Sequence, residues 1–311
     1  MSDLGIVIVN WNTRDRLRDC LASLDASRGV SFITYVIDNS STDGSAEMVR
    51  HEFPHVRLIA SPVNGGYSYA NNLGLRQILA LDPPPPFVLL LNPDTVVPPD
   101  GLGQMIEFFH THPDAGVAGP KLVMEDGKLD LACRRSFPSP ELSIYHVLGL
   151  DERFPHSRRF ARYNLTYLDE DMLTEVDSVV GAFMMMRTLV LRQVGLLDEA
   201  YFMYGEDLDL SLRIKKRGWK IYYNPAVRVL HYKRQASKQS ARAQYEFWRA
   251  GYLFYKKHYA AHTPFPLHLL VIAGLALKGG WKLVREMMQP LATSPNHTEI
   301  YPASGSGQVI G

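Results

Sequence analysis

The chain has 311 residues, a formal net charge of +1, 46% apolar and 21% charged residues. That composition excludes a disordered chain, a collagen-like repeat and a coiled-coil rod, and two cysteines, Cys20 and Cys133, exclude a disulfide scaffold or a Cys-rich metal module. The near-neutral total hides a split: between Arg228 and Glu286 eleven Lys/Arg oppose two acids, a net of +9, and with Glu299 the one charge beyond, residues 1–227 carry −7.

Met1-Ser2-Asp3 leads into an apolar run with no basic segment and no small-residue cleavage site, so no signal peptide is expected. Residues 4–9 (LGIVIV) form a short β-branched run, as a strand buried on both faces requires. Leu17, Cys20, Leu21 and Leu24 follow at helical spacing, with Thr13 as N-cap. Strands are then expected at 33–37, 56–60 and 87–91, and helices at 45–53, with Ala46, Val49 and Phe53 inward, and at 67–81. Four prolines at 83–86 end that helix as a stiff connector. Strand–helix alternation with buried strands predicts a mostly parallel α/β sheet.

Further along, a helix is expected at 101–109 and a short strand at 117–118, with 120–175 irregular. Residues 178–186 (SVVGAFMMM) read as an apolar strand, 207–216 as a helix, and 220–223 and 226–230 as short strands. Basic helices interleaved with Tyr245, Phe247, Trp248, Tyr252, Phe254 and Tyr255 come next. The apolar run 269–277 is short of the roughly 20 residues a membrane span needs, which leaves an interfacial segment or a buried core helix. The tail from Thr293 has the composition of a disordered end.

Ligands of parallel α/β sheets bind beyond the carboxyl ends of the strands. Here those ends read Asn10-Trp11-Asn12, Asp38-Asn39-Ser40, Asn64-Gly65-Gly66-Tyr67 and Asn92-Pro93-Asp94-Thr95. Turn chemistry alone enriches such residues, but four polar ends on one sheet edge favour a site. Asp38 could accept hydrogen bonds from a base or ribose, or cap its own turn. Asp94 suits Mg²⁺ or Mn²⁺ holding a diphosphate, or is a turn residue after Pro93. Glu206 and Asp207 open a helix, where acids stabilise the dipole. The aromatic segment before them also suits carboxylates that act as general bases. His231, at a strand end, could complete a metal site with Asp94, and Lys233 and Arg234 follow as phosphate donors.

The ordered set IVIVNWN, VIDNSSTDGS, NGGYSYANNLG, LLLNPDT, VVGAFMMMR and YGEDLDLSLRIKKRGWKIYYNP resembles an inverting family 2 glycosyltransferase of the GT-A fold, close to bacterial rhamnosyltransferases of cell-wall and O-antigen assembly. The resemblance covers 4–237 and implies a Rossmann-like, mixed but mostly parallel sheet in a catalytic domain at 1–232. A basic amphipathic helical region would follow at 233–292, then the tail at 293–311. It implies nucleotide contacts at Asn10, Asp38, Gly65, Asn71 and Asn92, with Asn92 standing where the family motif has its first Asp. It implies Mg²⁺ or Mn²⁺ at Asp94 and His231, a sugar pocket at Gly181 and Ala182, and Asp207 as base with Glu206 the alternate. The implied donor is a dTDP- or UDP-sugar, dTDP-rhamnose foremost, with UDP-hexoses as alternatives, and the acceptor is lipid-linked or a polysaccharide. Localisation would be cytoplasmic and peripheral on the inner face of the membrane. A nucleotidyltransferase would carry a Gly-rich basic loop where Asn10-Trp11-Asn12-Thr13 stands. An inactive scaffold would not be expected to keep Asp94, Asp207 and His231. No nucleic-acid motif is present.

Overall fold

In the computed structural model, residues 2–233 and 241–289 are described. The first four strands are parallel: β1 (Leu4–Asn10), β2 (Phe32–Asp38), β3 (Arg57–Ala60) and β4 (Phe87–Leu91). Helices α1 (Arg14–Asp25), α2 (Ser45–Glu52) and α3 (Tyr67–Leu79) connect them. β1 and β4 are buried along their whole length, which accounts for their unbroken apolar sequences. The chain continues through β5 (Thr95–Val96), α4 (Gly101–Thr111) and β6 (Ala115–Val123). Next come α5 (Pro140–Val147), α6 (Leu150–Arg153), β7 (Thr174–Val176), β8 (Phe183–Arg187), α7 (Thr188–Val194), α8 (Glu206–Lys216) and β9 (Lys220–His231). The nine strands form one sheet in the order β3-β2-β1-β4-β8-β6-β9-β5, with β7 also on β9. The sheet is mixed because β8 runs antiparallel between β4 and β6.

Strand order reverses at β1, which has β2 on one side and β4 on the other. That is the position at which such a sheet opens a crevice at its carboxyl edge. The registers Asn10↔Asp38 and Asp38↔Ala60 bring the first three strand ends level.

The sequence expectations change in several places. Thr13 occupies the N-cap of α1, but its hydroxyl is committed to Asn10, and the Arg14 amide donates instead to Asp43 at 2.9 Å. The apolar stretch 178–186 is a strand only from Phe183, because residues 178–182 are a buried loop bridged to Arg135. The two short strands at 220–223 and 226–230 are one, with a bulge against β6 between Pro120 and Lys121. The segment 120–175, expected to be irregular, holds α5, α6 and β7.

Two C-terminal helices follow, α9 (Ala241–His258) and α10 (Phe265–Met287). Tyr201, Ala250, Tyr252, Leu253 and Leu283 form a second small core where they meet the α/β part. Part of the basic surplus of this region is taken up by internal partners, while Arg242, Lys256, Lys278 and Arg285 are exposed. Arg249 binds Glu286 and the Ala200 carbonyl, Lys257 binds Asp198 and Asp209, and Lys282 lies over the Tyr245 ring. The apolar run 269–277 lies inside α10, and its largely exposed face excludes a buried core helix. Arg234 and the tail at 293–311 lie outside the described residues.

Candidate active site

Loops at the carboxyl edge of the sheet are tied together by side chains. Asn10 Nδ2 donates to Asp38 Oδ1 at 3.1 Å and to Ser41 Oγ at 3.1 Å, and the Ser41 amide donates to Asp38 Oδ2 at 3.0 Å. Asn12 Oδ1 accepts from the Thr42 amide at 2.8 Å. Next to this pair, Asn39 Oδ1 accepts from the Gly65 amide at 3.1 Å and its Nδ2 donates to Asn64. Gly66 is required by geometry: its φ is +92°, and a Cβ there would stand 2.5 Å from the Phe202 carbonyl. The following amide, Tyr67 N, donates to that same carbonyl at 2.6 Å. Asn71 is buried one turn into α3, its Nδ2 donating back to the Tyr67 carbonyl, so it supports this loop from below.

A second group of contacts crosses the site from α8 to β9. Asp207 Oδ2 accepts from Arg135 Nη2 at 2.6 Å and from the Gly181 amide at 3.2 Å. The Gly181 carbonyl accepts from Tyr67 Oη at 2.9 Å, and the Ala182 carbonyl accepts from the Asn92 amide at 3.0 Å. Beyond Asn92, Asp94 Oδ1 lies 3.4 Å from His231 Nε2, and the Tyr232 amide donates to the Asp94 carbonyl. His231 Nδ1 faces Asp130 Oδ2 at 2.9 Å, and Lys233 Nζ pairs with the other Asp130 oxygen. The carboxylates expected at separate loops therefore belong to one connected surface.

The electrostatics separate the two adjacent acids of α8. Glu206 is 6% exposed and its Oε2 has no hydrogen-bond partner among the described residues. Burial first, and then the charge of Asp207, push its pKa up to about 8. Asp207 has the Arg135 guanidinium as its direct partner. The Tyr67 phenol is pushed well up by burial and by the charges of Glu206, Asp207 and Asp94, so all three carboxylates bear on one partly buried ring. Burial opposes charge on His231. Hydrogen bonds and charges from Asp130 and Asp94 outweigh it and raise the pKa to about 9.

The Asp94–His231 pair fits a divalent cation by its chemistry. It offers a carboxylate oxygen and an imidazole nitrogen, with Asp130 orienting the far side of the ring as in many histidine metal ligands. No group of three or more His, Cys, Asp or Glu side chains gathers as a metal cage among the described residues, so substrate oxygens would fill the remaining positions.

Arg135, Asp130 and Tyr67 are site residues that sequence reasoning missed. Arg135 and Asp130 lie in the segment read as irregular. Tyr67 enters the sequence reading only as the last residue of the Asn64–Tyr67 strand end, with no role of its own.

A family model described as "Glycosyltransferase like family 2" matches residues 2–245. Among similar proteins, "N-acetylglucosaminyl-diphospho-decaprenol L-rhamnosyltransferase" of Mycobacterium tuberculosis is 29% identical over 283 residues, 88% of this chain and 91% of its own. A rhamnosyltransferase of Escherichia coli strain K12, WbbL, is 26% identical over 231 residues, 73% of this chain and 82% of its own. Among solved structures, a mannosyltransferase from Pyrobaculum calidifontis in complex with GDP-Man and Mn²⁺ has a TM-score of 0.57 at 15% identity, covering 93% of this chain and 76% of that one. At that identity the likeness establishes the fold.

Proposed function

We propose that this chain, which belongs to glycosyltransferase family 2, transfers L-rhamnose from dTDP-rhamnose to a hydroxyl of a polyprenyl-diphosphate-linked sugar, with inversion at the anomeric carbon. One observation carries the reading: a single run of contacts, Asp207–Gly181–Ala182–Asn92–Asp94–His231, joins a carboxylate to a carboxylate–imidazole pair across one sheet edge. The names of the mycobacterial and Escherichia coli relatives support rhamnose, and the mycobacterial name supports the lipid-linked acceptor.

In this reading Asp38, positioned by Asn10, receives the nucleobase, and the Gly65–Gly66 turn and Asn92 border the nucleoside. Asp94 and His231 would hold Mg²⁺ or Mn²⁺, and Lys233, which is paired with Asp130, is the nearby cation for the diphosphate. When bound, the cation supplies charge neutralisation for the leaving diphosphate. Gly181 and Ala182 floor the sugar pocket. Asp207, fixed by Arg135 and the Gly181 amide, accepts the proton of the attacking hydroxyl. Glu206, its carboxyl pushed toward the neutral form, is the weaker candidate at neutral pH. Attack from the face opposite the diphosphate inverts configuration and needs no covalent intermediate. Residues 1–232 would carry this chemistry and 233–292 the helical annex. The enzyme would be peripheral on the cytoplasmic face of the membrane, where its donor and its lipid-linked acceptor meet.

The test is release of nucleoside diphosphate from a panel of dTDP- and UDP-sugars, with Mg²⁺, with Mn²⁺ and with EDTA. dTDP-rhamnose should be turned over fastest, and Asp94→Ala should raise the metal concentration needed by at least about tenfold. Preference for a UDP-hexose would replace the donor, and full activity in EDTA would remove the metal.

A further inference from the structure

Helix α10 is apolar on both sides, unlike an amphipathic helix packed on a soluble domain. Its inward side is apolar: Val271 and Leu283 are buried, and Ile272 and Leu275 pack on the core built by Tyr201, Tyr252 and Leu253. Its outward side is also apolar. Phe265 is 72% exposed, Leu270 65%, Leu277 83% and Trp281 76%, with Leu269 and Met288 exposed beside them. Positions 265, 269, 273 and 277 follow at intervals of four, and 266 and 270 lie beside them, so they form one stripe. Exposed apolar surface gathered in this way marks a contact site.

The charges around the stripe are of one sign. Lys278 and Arg285 are exposed on the second half of the helix. Its one acid, Glu286, is turned inward to Arg249 and Tyr245. A second copy of this chain would bring like charges together across the stripe. An anionic lipid surface meets it with opposite charge, and Trp281 beside Lys282 is the pairing favoured at headgroup level.

By length and composition α10 is apolar enough to cross a bilayer. Its backbone argues for a different placement. Gly280, at φ 69° and ψ −174°, interrupts the helix. The unbroken part, 265–279, is about 22 Å long at 1.5 Å per residue, against roughly 30 Å of hydrocarbon. The bend also carries the chain back to place Leu283 in the core and Glu286 on Arg249.

We infer that α10 lies in the plane of an anionic membrane, its Phe265–Leu277 stripe in the acyl boundary and Lys278 and Arg285 on the headgroups. The inference deepens the reading of a lipid-linked acceptor and rests on it for its purpose, though the surface is argued from α10 alone. It predicts that the catalytic crevice is held at the height of a membrane-borne hydroxyl by a helix that does not cross.

The experiment is sedimentation of the full chain with vesicles of phosphatidylcholine, alone or mixed with phosphatidylglycerol. Binding should need the anionic lipid and be released by high salt and by alkaline carbonate. Leu277→Glu should weaken it at least about tenfold, and Lys278→Gln and Arg285→Gln about fivefold each. Nucleoside diphosphate release measured without vesicles should be unchanged in all three variants, which shows that they fold. Retention in carbonate would overturn the inference in favour of a spanning helix. A dimer that Leu277→Glu dissolves, with no vesicle binding, would overturn it in favour of a second copy. If vesicles bind but no nucleotide sugar is turned over, the surface stands and the proposed activity falls.

Discussion

Lys257 is the residue through which α9 grips the catalytic part. Its Nζ lies 2.5 Å from Asp198 Oδ2 and 2.6 Å from Asp209 Oδ1. Asp209 sits two residues beyond Asp207 in α8 with 0% exposure, and its other partners are His258 Nε2 at 2.8 Å and Arg213 Nε at 2.9 Å. Burial opposes its charge, but the His258 hydrogen bond and the Arg213 and Lys257 charges hold its carboxyl well below the usual carboxylate range. Lys257→Met strands part of that charge. Removing one partner of a buried pair costs about 3–5 kcal/mol, and the two partners that remain argue for the lower end, about 3 kcal/mol. At roughly 2–4 °C per kcal/mol for a chain of this size, Tm should fall by about 6–12 °C. Lys257→Met combined with Asp209→Asn removes the stranded charge and should recover more than half of the loss. Because the folded pKa of Asp209 is depressed, its stability contribution is present above the unfolded value near about 4 and lost as pH falls below it. The single variant should therefore show a smaller acid-side fall in Tm than wild type, since Arg213 and His258 still hold part of the charge. A loss under about 1 kcal/mol, read by thermal and urea unfolding, would refute the view that Asp209 depends on α9.

Other outcomes are equally specific. Asp207→Asn should cut sugar transfer by about 10²–10⁴ while calorimetric affinity for the nucleotide product is kept, and near wild-type turnover would exclude Asp207 as base. Glu206 has a raised folded pKa, so its neutral form stabilises the fold below about 4.5 and that stability is lost as pH rises toward about 8. Glu206→Gln should accordingly raise Tm more near pH 8.5 than near pH 5, and an equal shift at both would contradict the assignment. Gly66→Ala places a methyl 2.5 Å from the Phe202 carbonyl at a φ of +92°. Nucleotide affinity should drop at least about tenfold with the bulk of the fold intact, as read by calorimetry beside circular dichroism.

Legibility in the sequence tracked the range of the interactions. β1, β2 and β4 could be read because each is a continuous buried run followed at once by polar residues, a local pattern. The stretch 178–182 misleads for the same reason. Ser178, Val179, Gly181 and Ala182 are buried as a strand would be, yet their backbone serves Arg135, Asp207 and Asn92 rather than a ladder. Periodicity registers burial and is blind to what the amides are bonded to. Pairings such as Arg135 with Asp207 and Asp130 with His231, 72 and 101 residues apart, leave no local trace.

The charge split shows the same limit from the other side. Composition separates an acidic front from a basic back, and the simplest inference is two surfaces with two tasks. Arg249, Lys257 and His258 instead reach into the front, to the Ala200 carbonyl, Asp198 and Asp209. The loop that begins at Asp198 ends at Phe202, whose carbonyl seats Tyr67, and Asp209 stands in the helix that begins with Glu206 and Asp207. One lysine of the annex is thus bonded to both elements that frame the crevice. The basic residues cannot then be a detachable membrane tail, because pulling α9 away would leave Asp209 buried and short of two partners. What remains to meet lipid is the face of α10 that makes no such contacts, and there the determining property is an apolar stripe flanked by two cations rather than the net charge of the region.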